Sequence, residues 1–104
     1  MGSQRILTTG ESPDLTIDHA HGDLVVSGWN RPEVSIKCDD DRFDVAHEGD
    51  VVRVNFSDDC TIQAPFGTTL RVNRCGGDAQ IVSIQGSVTI GDVGGDLELR
   101  DVGT

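Results

Sequence analysis

Three cysteines, Cys38, Cys60 and Cys75, and the segment His19-Ala20-His21 flanked by Asp18 and Asp23 are the residues best suited to redox or metal chemistry. A zinc site needs three or four ligands at compatible spacing, and nothing near the two histidines supplies the third. The cysteines include no CxxC pair and their number is odd. Each stands in phase with apolar neighbours: Cys38 with Ile36, Cys60 with Ile62, Cys75 with Leu70 and Val72. They are expected to be free, buried thiols acting as small hydrophobes, which favours a reducing compartment.

The acidic run Asp39, Asp40, Asp41 and Asp44 surrounds Arg42 without the alternation with glycine that a calcium loop requires, so it reads as a solvated loop. Gly76-Gly77-Asp78 and Gly94-Gly95-Asp96 do not continue as the GGxGxD of calcium-binding nonapeptides. His47 reads as a solvated side chain. No nucleophile elbow, HExxH or phosphate loop occurs. Asn55-Phe56-Ser57 spells a glycosylation sequon, but Phe56 lies in core phase and the match is treated as chance. No catalytic residue, metal or cofactor is expected.

Composition narrows the partners. The 104 residues suit one domain, and the formal charge of −10 disfavours nucleic acid and anionic membranes. No apolar run reaches the ~20 residues of a membrane-spanning helix, so no membrane insertion is expected. The opening MGSQRILTTG lacks the apolar stretch of a signal peptide. A cytoplasmic location is the expectation, with an envelope-associated parent as the alternative.

Only 36% of residues are apolar and 4% aromatic, and apolar residues alternate rather than recur at helical spacing, which predicts an all-β fold. Glycines at 77, 86 and 95 mark a nine-residue beat, and in each unit the third, fifth and eighth places are apolar. The sets are Leu70, Val72, Cys75; Ala79, Ile81, Ile84; Val88, Ile90, Val93; and Leu97, Leu99, Val102. The unit opening at Gly22 repeats them as Leu24, Val26 and Trp29. The third and fifth places share a strand face, and the eighth turns inward past a bend where glycine supplies backbone freedom. One such unit cannot bury its own row, whereas copies stacked about 4.8 Å apart can. The expected architecture is a β-solenoid, a flattened two-sided rack with two nonapeptides per coil. Residues 1–67 form an elaborated capping half with a hairpin around Glu48-Gly49-Asp50, in which Phe43 and Val45 face Val52, Val54 and Phe56. Residues 68–104 form the regular half.

The step from Thr61 to Leu70, TIQAPFGTTL, and the Gly-Asp starts at Gly22, Gly77 and Gly95 resemble the DUF4097 proteins, adhesin-like β-solenoids also called toast-racks. The resemblance covers nearly the whole chain. It implies the same rack fold, further coils in many relatives beyond the point where this chain stops, and no catalytic residues to carry over.

The functional expectation is a non-catalytic structural or protein-interaction module. The alternative is a small-molecule-binding or enzymatic domain with a pocket between the capping half and the regular half. Leu97, Leu99 and Val102 close the last unit without a polar cap and form the expected self-association edge, with a homodimer or higher oligomer as the product and an unidentified protein as the other partner. The inward slots, Ile81, Ile90 and Leu99 among them, are expected to be buried, with Arg71, Gln80, Thr89 and Glu98 exposed between them. On this reading Ile90→Ala costs about 2–5 kcal/mol in a denaturant titration.

Overall fold

A computed structural model describes residues 3–38, 43–56 and 59–102. Asp39, Asp40 and Asp41 of the acidic run and Ser57 of the sequon lie outside the described residues. The described chain is all-β. One sheet contains, in spatial order, β1 (Ser3–Thr8), β4 (Glu33–Cys38), β7 (Cys60–Pro65), β3 (Leu24–Trp29), β9 (Ala79–Val82) and β11 (Leu97–Arg100). The other contains β10 (Val88–Val93), β8 (Thr69–Cys75), β2 (Asp14–Ala20), β6 (Val51–Phe56) and β5 (Phe43–Glu48). A single apolar cluster drawn from both sheets includes Leu15, Ile17, Leu24, Val26, Leu70, Val72 and Ile81. The arrangement is a flattened rack.

The ladders explain the beat. β8 pairs in parallel with β10 and β9 with β11, matching Leu70 to Val88, Val72 to Ile90, Ala79 to Leu97 and Ile81 to Leu99. Each pair is two nonapeptides apart in sequence, so one pass around the rack takes one strand in each sheet. β2–β3 and β6–β7 make the same kind of pass: Leu24 and Val26 lie opposite Cys60 and Ile62 on one side and opposite Ala79 and Ile81 on the other. The pass through β6 and β7 stacks on the far side of β2–β3 from β8–β9. The letters lose the beat between Gly22 and Thr68, but the stack does not.

The eighth slot turns inward by two different devices. In β8, Asn73 and Arg74 both point outward before Cys75 is buried, and β2 makes the same step with a register shift between Ile17 and His19 that brings Ala20 inward. In the other sheet the step is taken by Ser83 (φ 61°) ahead of buried Ile84, and by Asp101 (φ 51°) ahead of Val102. These left-handed positions are therefore not glycines, contrary to the expectation. Among the described residues the glycine with positive φ is Gly49, in the two-residue turn that joins the antiparallel β5 and β6.

Corner glycines serve close approach instead. A Cβ on Gly77 would lie 2.5 Å from Asp23 Oδ1, and one on Gly95 would overlap Asp78 Oδ1. Those carboxylates sit there because they are hydrogen-bonded to the next coil. Asp59 Oδ1 accepts from the Asp23 amide at 2.8 Å, Asp23 Oδ1 from the Asp78 amide at 3.0 Å, and Asp78 Oδ1 from the Asp96 amide at 2.8 Å. The Gly-Asp start is thus one device: aspartate reaches across the coil boundary, and glycine leaves it room.

One end of the rack is finished by antiparallel strands, β4 and β1 beyond β7 and β5 beyond β6. The other end is β10 and β11, each last in its sheet. Burial falls off toward it. Ile81 is fully buried, Ile90 is half-buried, and Leu99 is 44% exposed. Leu97 is also exposed and Val102 is half-buried, so the last unit does not follow the burial expected of its slots. Arg71, Thr89 and Glu98 are exposed as expected, while Gln80 is half-buried. The large truncation penalty therefore belongs to Ile81 rather than Ile90. Ile81→Ala should lose about 2–5 kcal/mol in urea unfolding, and Ile90→Ala clearly less. Equal losses would contradict the burial gradient.

Candidate functional site

The cysteines depart furthest from expectation. Cys38 and Cys60 are directly opposed in the antiparallel β4–β7 pair and are joined by a disulfide. Both were placed correctly in the core phase, at 1% and 3% exposure. Facing strands turned two buried thiols into a bridged pair, and the argument from free thiols to a reducing compartment falls with it. Cys75 remains a free, buried thiol. Burial pushes its pKa up, a hydrogen bond with the Gly77 backbone opposes the rise, and Asp23 and Asp78 add to it. Its sulfur lies 3.5 Å from the Gly77 carbonyl oxygen. A thiol held protonated and enclosed is a poor nucleophile.

The histidine pair is exposed, with ring centroids of His19 and His21 stacked 5.4 Å apart. Among the described residues no group of three His, Cys, Asp or Glu side chains is placed to hold a metal ion. His47 is exposed beside the hairpin, with Nε2 2.9 Å from the Gly49 carbonyl oxygen.

A cleft of about 350 Å³ opens where β3 runs into β4 and β7 into β8. Trp29, Arg31 and Phe66 line it together with Glu11 and Pro65. Trp29 occupies an eighth slot, yet it is only half-buried. Its Nε1 donates to the Glu33 carbonyl at 2.7 Å, and the Arg31 guanidinium lies 5.4 Å from its ring centroid. An indole needs a partner for its N–H, and the corner offers one that the core does not. The walls of this cleft come from the first 67 residues, and a smaller one of about 210 Å³, lined by Asp14, Thr16, Val51, Thr69 and Arg71, is shared with the regular half.

The TIQAPFGTTL step explains the floor of this corner. Buried Thr68 donates its hydroxyl to the Pro65 carbonyl at 2.7 Å, and its amide donates to the same oxygen at 3.1 Å. Both bonds close the Pro65-Phe66-Gly67 turn.

The second feature is the open end of the rack. Leu97 and Leu99 are 43% and 44% exposed, while Val88, Ile90, Val93 and Val102 are partly buried against the core. Leu97 and Leu99 lie opposite buried Ala79 and Ile81, so they face the core side, and among the described residues no further strand covers them. Glu98 and Arg100 occupy the outer side and form an ion pair at 2.6 Å. The sequence had marked Leu97, Leu99 and Val102, and the structure gathers them at this end. It had not signalled Val88 and Ile90 as part of the same face.

No family model and no curated protein matches the sequence. A solved structure from Clostridium sporogenes ATCC 15579, described as a “putative cell adhesion protein”, is similar over 100% of this chain with a TM-score of 0.65 and 12% identity. This chain spans 63% of the length of that one. At that identity the similarity establishes a fold, and the fold is toast-rack-like.

Non-reduced peptide mapping should find Cys38 bridged to Cys60. Thiol labelling should be slow at Cys75 until the chain is denatured. Replacing both bridged cysteines with alanine should cost about 3 kcal/mol, the chain-entropy value for a loop of this length. Three rapidly labelled thiols in the native protein would contradict the assignment.

Proposed function

We propose that the chain is a non-catalytic structural module, a rigid β-solenoid that works by contact with other protein surfaces, its own copies included. The observation that carries this reading is the open β10–β11 end, where two strand edges and a row of aliphatic side chains lie together. An unpaired edge offers backbone donors and acceptors, and the exposed leucines add area whose removal from water is favourable. The similarity of fold to a protein described in terms of cell adhesion supports a contact role, and the disulfide suits oxidising surroundings.

The charge of −10 opposes association. At physiological salt that repulsion is screened beyond roughly 8 Å, whereas backbone pairing and apolar contact act at touching distance. Self-association through Leu97, Leu99 and Val102 is therefore expected to prevail at moderate concentration. Light scattering at about 0.15 M salt should show the mass rising with concentration for the native sequence. A variant with Leu97→Lys and Leu99→Lys should remain monomeric while keeping its far-UV circular dichroism. A native chain that is monomeric at every concentration would refute the self-association reading.

A further inference from the structure

We propose that two copies of the chain join through the free edge of β11 as an antiparallel pair centred on Leu99. The proposal rests on the self-association reading and adds its partner strand and its register.

The geometry points to a two-fold axis normal to the rack. β11 is hydrogen-bonded to β9 along one edge and is last in its sheet. Rotation about such an axis reverses β11 and lays it against its own copy, so each sheet continues into the same sheet of the partner. It also brings the edge of β10 toward its own copy. The apolar rows on the inner side of both strands then meet their equivalents, as happens at the boundaries between coils. A symmetric pair also closes on itself, so it stops at two copies.

Register follows from the side-chain pattern. Leu97 and Leu99 are on the core side of β11 and Glu98 and Arg100 on the outer side. Directly opposed residues of an antiparallel pair share a face, and a slip of one residue would set leucines against charges. The axis must therefore fall on a residue rather than between two. Centred on Leu97, it would oppose Asp96 to Glu98. Centred on Glu98 or on Arg100, it would oppose that residue to its own copy. Centred on Leu99, it opposes Leu99 to Leu99, places Glu98 across from Arg100 twice, and sets Leu97 across from Asp101, which lies past the end of the strand. Of the four, this register leaves no like charges directly opposed. Opposite charges at directly opposed positions stabilise a strand pair and like charges destabilise it.

The ion pair between Arg100 and Glu98 within one strand already holds both side chains on the outer face. The junction would extend it into a four-charge row without bringing any charge into the core. Asp101, with its φ of 51°, ends the strand just past Arg100, which keeps the paired segment short.

Charge reversal tests the register directly. The variants Glu98→Arg and Arg100→Glu each turn both cross-strand pairs into like-charge pairs. Each should self-associate at least about tenfold more weakly than the native chain in sedimentation equilibrium. Mixed in equal amounts, the two should recover association, because every position 98 then faces an opposite charge at position 100. That recovery also shows that both variants are folded.

If the native chain is monomeric, self-association fails and this proposal with it. If the native chain and both single variants associate equally, association stands and the β11 register is overturned. If the single variants are weakened but the mixture does not recover, the Leu99-centred pair is likewise overturned. A parallel coil docked on β11 is the rival arrangement, and it would use the outer end of the aspartate ladder. Association insensitive to both charge reversals but weakened by Asp96→Ala would identify that rival and reject the antiparallel pair.

Discussion

The contact between one coil's aspartate and the next coil's Gly-Asp start is the constraint around which the rack is organised. Asp78 Oδ1 accepts the Asp96 amide at 2.8 Å and occupies the space that a Cβ on Gly95 would need. The same relation holds one coil earlier between Asp23 and Gly77. An exposed corner amide would otherwise bond only to water, and a side chain at the glycine would push the coils apart. Fixing the corner fixes the parallel register, and the register sets Leu70 over Val88 and Ile81 over Leu99. Small aliphatic side chains suffice because each is covered by its counterparts above and below.

Stacking of this kind has no natural stop, and the two ends of the rack are treated differently. At one end the ladder changes from parallel to antiparallel as β4, β1 and β5 are added. The disulfide between Cys38 and Cys60 secures that change of direction at the first antiparallel pair. At the other end the parallel order continues to β10 and β11, and the inward slots lose their cover one coil at a time. The contact role proposed above rests on this contrast between the two ends of the described rack. The Trp29 cleft contributes a shaped corner lined by the charged residues Glu11 and Arg31.

Much of this was legible in the residues, because alternation and the nine-residue beat are direct consequences of strand geometry and stacking. The core slots from Leu15 to Ile84, Trp29 apart, and the Gly49 hairpin follow from pattern alone. What the pattern could not carry was information between distant segments. Cys38 and Cys60 each read as buried, but their opposition depends on how β4 and β7 align. Burial at Ile90 and Leu99 depends on whether another coil covers them, which periodicity does not record. The positive φ at Ser83 and Asp101 was hidden because neither is a glycine, and the corner glycines proved to be required for space instead. Trp29 occupied a core slot by count, and its need for an indole partner drew it to the corner.

Amide hydrogen exchange on an Asp78→Ala variant tests the central claim most directly. This substitution removes the acceptor of the Asp96 amide and leaves the apolar slots unchanged. If the aspartate ladder fixes the coils, exchange at Asp96 and through β11 should accelerate at least about tenfold, the equivalent of one charge-assisted hydrogen bond. The amides of β2 and β6 should keep their protection. Unchanged exchange at Asp96 and β11, or an equal loss of protection across every strand, would contradict the account.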